Sequence, residues 1–198
     1  EGPRARADAW FLPERAWEGQ VVLYVHEFEG RGPIGGVKWR LPDLQGLRAP
    51  QHGRRLEQTY TLEDPSGPIT ISRGFLPLVA TATGEREHGG ALAIAEVRTG
   101  RQNLLGFSQI RQERLSTPNR TLTVRGLPAR EGEFTGLVGE FGFRVSFDRA
   151  EARVGQSVRW TLEVAGDGTL EGFSWVPGGV DGATVYPGEV ERTARVED

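Results

Sequence analysis

Nucleophiles, metal ligands and acid–base pairs are few in this sequence and poorly spaced. It contains no cysteine, so thiol catalysis is excluded and no disulfide contributes to stability. The serines of Phe107-Ser108-Gln109 and Phe173-Ser174-Trp175 lack the glycines of a Gly-x-Ser-x-Gly elbow, the turn that lifts a nucleophilic hydroxyl out of its strand. His26, His52 and His88 are too far apart for a zinc motif, in which two ligands must share one face of one element. His26 reads as a structural or surface residue of a strand. Lys38, the only lysine, follows no phosphate-cradling glycine run. No catalytic residue, cofactor site or metal site is therefore expected.

Carboxylates two apart occur at Glu27/Glu29, Glu131/Glu133 and Glu189/Glu191. On a strand this spacing puts both on one face, as a glycosidase pair or a Ca²⁺ site would need. The solvated face of an antiparallel sheet has the same pattern and is the simpler reading. Gly166-Asp167-Gly168 and Asp181-Gly182 lack the ligand density of a Ca²⁺ loop. Among the aromatics, Trp39, Trp160 and Trp175 read as core residues. Trp10 and Trp17 lie outside a clean alternation, so an exposed pair there would be the candidate for docking a protein or a sugar ring, although packing of the first strand is the simpler reading.

The elements that must carry these residues are short strands. Phe141-Gly142-Phe143-Arg144-Val145-Ser146-Phe147-Asp148 and Val158-Arg159-Trp160-Thr161-Leu162-Glu163-Val164 alternate between apolar and small or polar residues, the period of a strand with one buried face. Tyr60 with Leu62, Ile69 with Ile71, Leu92 with Ile94, and Leu122 with Val124 repeat the pattern more weakly. Glycine (28) and proline (12) are plentiful, as tight turns between strands require. Leu104, Phe107 and Ile110, spaced by three, allow a helix over 103–115, although Gly106 interrupts it and an irregular loop fits as well.

The net charge is only -3, which disfavours nucleic acid and gives no general attraction to an anionic membrane. Seven arginines and one glutamate fall in 98–130, against six arginines and thirteen acids in 131–198; solvated strand faces and loops account for this. A start at Glu1-Gly2 with no methionine anywhere reads as an excised or processed segment, with any signal peptide or anchor lying outside it.

The chain repeats itself at an offset of 136. Residues 11–39 align without a gap on 147–175, with ten identities in 29 positions, among them Gly19/Gly155, Gln20/Gln156, Val22/Val158, Glu27/Glu163 and Trp39/Trp175. The shared content is a Gly-Gln turn, a strand, a Gly-x-Gly corner and a following strand that carries a tryptophan. This predicts an all-β protein of two tandem immunoglobulin-like β-sandwich modules, residues 1–124 and 134–198, joined by a short linker at 125–133. Trp39 and Trp175 are expected at equivalent, largely buried positions. The strands matching Ile69 to Val124 have no counterpart after Trp175, so the second sandwich is expected to be incomplete, with fewer strands and more exposed apolar surface.

Leu127-Pro128 followed by Phe134-Thr135-Gly136-Leu137-Val138-Gly139-Glu140-Phe141 resembles the module junction of the BatD-type aerotolerance (oxygen tolerance) proteins of bacteria. Val154-Gly155-Gln156-Ser157-Val158, Gly166-Asp167-Gly168-Thr169-Leu170 and Val185-Tyr186-Pro187 resemble that family's strand start, corner and Val-Tyr-Pro segment. Gln156 and Thr169 depart from the usual Glu and Asn. The resemblance covers 125–187 well and 11–124 more loosely. It implies a membrane-anchored protein with its sandwich modules in the periplasm or otherwise outside the cytoplasmic membrane. The implied role is non-enzymatic protein–protein interaction in a stress response, with von Willebrand factor A domain proteins and a MoxR-type ATPase as associates. A carbohydrate-binding or adhesin-like module is the alternative.

If a von Willebrand factor A domain is the partner, its divalent cation would favour a carboxylate presented on a loop. Asp64 and Asp167 meet that requirement. Both also suit turns for local reasons alone.

Overall fold

The computed structural model describes residues 5–51, 53–102, 108–129, 131–132, 134–173, 175, 178–186 and 188–193. The described residues contain no helix, and thirteen strands carry the fold. In chain order they are β1 (Ala5–Leu12), β2 (Arg15–Trp17), β3 (Val21–Arg31), β4 (Ile34–Arg40), β5 (Leu47–Arg48), β6 (Leu56–Leu62) and β7 (Ile69–Ala80). Then follow β8 (Gly84–His88), β9 (Leu92–Gln102), β10 (Ser108–Ser116), β11 (Arg120–Arg125), β12 (Phe141–Phe147) and β13 (Trp160–Gly166).

The first eleven strands make a sandwich-like body. One antiparallel layer runs β1-β3-β7, with β6 and β5 both pairing β7 further along. Facing it are the sheet β10-β9-β4 and the small sheet β2-β11-β8, in which β2 runs parallel to β11. Alternation decides what faces inward. Along β3, Val22, Tyr24, His26, Phe28 and Gly30 are buried because successive side chains point to opposite faces. Phe11, Val22, Tyr24 and Leu78 meet Ala16, Leu122 and Val124 in one apolar cluster. Phe28 meets Ala93 and Ala95 in a second, and Trp39 packs against both.

Several alternating runs are strands with the other face inward. In β9 the buried set is Ala93, Ala95 and Val97, while Leu92 and Ile94 are half-buried on the opposite side. The bulky Phe28 and Trp39 opposite leave room only for small residues there. In β7 Thr70 and Ser72 are buried and Ile69 and Ile71 are not, and Tyr60 and Leu62 of β6 are exposed. Leu122 and Val124 do lie in the core. The possible helix over 103–115 is corrected: 108–116 form β10, paired with β9, and 103–107 lie outside the described residues. Alternation along β10, anchored by half-buried Leu115 against the second cluster, outweighs the spacing by three.

The repeat is visible in the backbone. β12 pairs β13 with Phe147 opposite Trp160 and Phe141 opposite Gly166. β1 pairs β3 with Phe11 opposite Tyr24 and Ala5 opposite Gly30. Every one of these positions is related by 136, so the two hairpins share one register. Their connections agree as well. Gly19 and Gly155 take φ of 85° and 87°, a left-handed conformation that glycine adopts without Cβ strain. The side chain of Gln20 accepts a hydrogen bond from the Trp17 N–H at 2.9 Å, and that of Gln156 from the Arg153 N–H at 3.0 Å.

The equivalence then ends. Trp39 lies in β4, half-buried, with its ring edge on His26 and its Nε1 donating to Ser72 Oγ at 3.3 Å. Trp175 lies in no strand, is 47% exposed and packs edge-on against Trp160, ring centroids 5.0 Å apart. The expectation of equivalent, buried tryptophans on matching strands is corrected accordingly: no strand equivalent to β4 follows β13 among the described residues, so nothing carries Trp175 into a core.

Candidate functional site

The residues singled out for partner contact are spread over the molecule. Trp10 sits on β1 opposite Val25, on the outer face of the main layer, and is half-buried. Trp17 sits on β2 in a different sheet and is exposed. The two therefore do not form one flat aromatic platform of the kind a sugar ring stacks on. Asp64, in the turn between β6 and β7, pairs with Arg31 and accepts a hydrogen bond from the Ser66 N–H at 2.9 Å. The Arg31 guanidinium foremost, and then the Ser66 N–H, hold its carboxyl below the usual carboxylate range. Asp167 accepts a hydrogen bond from the Glu140 N–H at 2.8 Å and so closes the corner at the end of the second hairpin. Both carboxylates are engaged in holding turns.

A titratable group that sequence reasoning set aside lies in the core. His26 is fully buried on β3, between Tyr24 and the edge of Trp39. Gly74 stands opposite it on β7; a Cβ there would come within 2.2 Å of the His26 Nε2, so the absence of a side chain at 74 makes room for the imidazole. Nε2 lies 3.5 Å from the Arg55 guanidinium and 3.7 Å from the Glu57 carboxylate, which are themselves paired. Burial, and after it the Arg55 cation, push the His26 pKa down to about 4, with Glu57 acting the other way. The ring is thus neutral at neutral pH and shielded from solvent, a packing role rather than that of a proton carrier with access to substrate. A glycine inside an otherwise regular strand was the one available sign of this close approach.

The second hairpin presents the most distinctive surface. Phe141, Phe143, Val145 and Phe147 of β12 lie across from Gly166, Val164, Leu162 and Trp160 of β13, so an unbroken apolar face forms on one side. Its counterpart in the first hairpin is core: Phe11 is 1% exposed, whereas Phe147 is 65% exposed, and Val22 is 0% against 41% for Val158. In the first copy Phe11, Ala16 and Val22 are covered by Leu78 of β7 and by Leu122 and Val124 of β11. In the second, Phe147, Ala152 and Val158 instead line an open hollow of about 510 Å³ together with Val145 and Ala150.

No group of three or more His, Asp or Glu side chains that could hold a metal ion occurs among the described residues, and no helix among them is long and apolar enough to cross a membrane. Comparison with protein families, with curated proteins and with solved structures returns no match. The functional reading accordingly rests on the geometry and on the sequence motifs.

Proposed function

We propose that this chain is a non-enzymatic, extracytoplasmic protein-interaction segment of a membrane-anchored protein of the BatD aerotolerance type. In this reading it comprises two immunoglobulin-like modules, 1–124 and 134–198, and the second is incomplete. The observation that carries the interaction reading is the apolar face of the β12–β13 hairpin, exposed where its repeat counterpart is buried; the BatD type and the extracytoplasmic, membrane-anchored setting rest on the motif resemblance over 125–187. Contiguous apolar surface of this kind on a folded protein marks a contact site, because leaving it in water costs about 25 cal/mol per Å². The buried and neutral His26 is in keeping with the non-enzymatic reading, since its imidazole is fully shielded from solvent.

The partner favoured by the sequence resemblance is a von Willebrand factor A domain protein of the same system. Asp64 and Asp167, already bonded within their own turns, are weaker candidates for its cation than the apolar face is for its surface. Binding of the chain to such a domain, measured by interferometry with and without Mg²⁺, is expected to persist without the cation. It should fall at least about tenfold in Val145→Glu, because a charge set in a desolvated contact is costly, and change less than about twofold in Asp64→Asn and Asp167→Asn, as for peripheral charges. Binding abolished by chelation and by either Asp variant, with Val145→Glu unaffected, would place the contact on the carboxylates instead. Retention on a glycan array through Trp10 or Trp17 would favour the carbohydrate-binding alternative.

A further inference from the structure

The sheet β10-β9-β4 carries an uncompensated charge on its outer face, on the sandwich body and apart from the second hairpin. Along β9, Ala93, Ala95 and Val97 point into the core, so Leu92, Ile94, Glu96 and Arg98 point outward. The register aligns the flanking strands with them. Lys38 of β4 and Arg114 of β10 stand on either side of Ile94, Arg40 and Ser116 flank Leu92, and Ile110 lies opposite Arg98. Lys38, Arg40, Arg98 and Arg114 are all exposed. Against these four cations the face sets one carboxylate, Glu96, which Lys38 Nζ reaches at 3.2 Å. No carboxylate of the described residues pairs with Arg40, Arg98 or Arg114. The neighbouring sheet β2-β11-β8 is balanced, with Glu85 and Glu87 offsetting Arg15 and Arg125 on its outer face. The excess is therefore local, on a chain whose net charge is -3.

Geometry narrows what such a face can hold. Lys38 and Arg114 stand two strand spacings apart, roughly 10 Å, with an aliphatic side chain between them, so no single carboxylate or phosphate is clasped by both. β9 is paired along both edges. An extended acidic peptide laid over it would thus find no backbone partners for its own N–H and C=O groups. A folded protein would have to bury long cations in the middle of its contact, where interfaces are depleted of charge. A plane of many hydrated anions meets none of these obstacles. Ile110, 60% exposed beside Arg98, adds an apolar side chain of the kind that enters the headgroup layer on interfacial binding surfaces.

We propose that the outer face of β4, β9 and β10 rests on an anionic phospholipid bilayer. Lys38, Arg40, Arg98 and Arg114 meet separate head groups, and Ile94 and Leu92 lie beneath them as a floor. A basic residue close to such a surface raises partitioning about fivefold, so removing three of them lowers it on the order of a hundredfold.

Sedimentation of the full chain with vesicles tests this. At low ionic strength the chain should pellet with vesicles of phosphatidylglycerol and phosphatidylcholine in equal parts and stay in solution with phosphatidylcholine alone. Salt should release it, because the screening length shrinks to about 10 Å at 0.1 M. Lys38→Gln, Arg98→Gln and Arg114→Gln together should lower partitioning at least about thirtyfold. The equal charge change made by Arg6→Gln, Arg144→Gln and Arg153→Gln, all exposed on other surfaces, should lower it less than about threefold. Since the chain has no cysteine, an environment-sensitive dye can be attached through Gln112→Cys on this face or Tyr60→Cys on the outer face of the main layer. Only the first should shift to the blue on the mixed vesicles. Absence of binding to the mixed vesicles, equal losses from the two triple substitutions, or a blue shift at position 60 alone overturns the proposal. So does capture of the chain by soluble polyglutamate, dependent on Lys38, Arg98 and Arg114, without pelleting on vesicles; that result would assign the face to an acidic polypeptide.

Discussion

Phe11→Ala is expected to lower the unfolding free energy by about 3–5 kcal/mol, whereas Phe147→Ala, at the same position of the repeat, should change it by less than about 0.5 kcal/mol. Phe11 is closed in by Tyr24 and by the edge of His88, each ring centroid 5.2 Å away, so its removal leaves a cavity lined by Leu78, Leu122 and Val124. Phe147 occupies the same place in an identical hairpin register, but one side of its ring meets solvent. Truncation there removes exposed surface and leaves no void. Urea titrations of the two variants decide the matter, because both carry the same chemical change and differ only in what covers the ring. Comparable losses would mean that Phe147 is covered in solution by residues of this chain.

The second large effect is expected on acidification. His26 carries a pKa of about 4 in the folded chain against an ordinary value of 6.5, so between these values the unfolded chain takes up a proton that the folded chain excludes. Stability is then fully present above about pH 6.5 and falls as the pH is lowered towards 4, by about 3 kcal/mol in total. His26→Leu should flatten that slope. Leucine stands at the repeat counterpart, Leu162, and shows that the frame admits an aliphatic residue at this point of the hairpin. Burial, followed by the Arg86 cation, also lowers the pKa of His88, and a smaller residual slope should survive the substitution. Equal slopes for the wild type and His26→Leu between pH 7 and 4 would show that the imidazole gains access to protons without unfolding.

The all-β class and the position of most strands were legible, because alternation and glycine turns are local signals. The phase of burial was less so. In β9 the face with the larger residues, Leu92 and Ile94, is the outer one, and the alanines face the core; that choice is made by Phe28 and Trp39, which arrive from distant parts of the chain. In β7 the buried Ser72 is chosen by the Trp39 and Thr59 donors, again from distant segments. The offset of 136 did disclose the shared turn and hairpin register, since those depend on residues close in sequence. It overreached at Trp175, where the backbone path depends on a strand corresponding to β4 that is absent among the described residues. The apolar face of the second hairpin was written in Phe143, Val145 and Phe147, but a periodic pattern gives a face without saying whether anything covers it. Arg55 and Glu57 beside His26 carried no motif at all, and only the interior glycine at 74 hinted at a close approach.

Site-specific photo-crosslinking tests the central claim most directly. A photoreactive phenylalanine analogue is placed at Val145, on the apolar face, and separately at Arg144, its neighbour on the opposite face, and the full protein is irradiated in cells that produce it naturally. The account predicts a discrete protein adduct from position 145 and none from 144. The same adduct should be lost when Phe143→Glu and Phe147→Glu are added. Adducts from 144 alone, or no protein adduct from 145, would contradict the assignment of this hairpin as the contact surface.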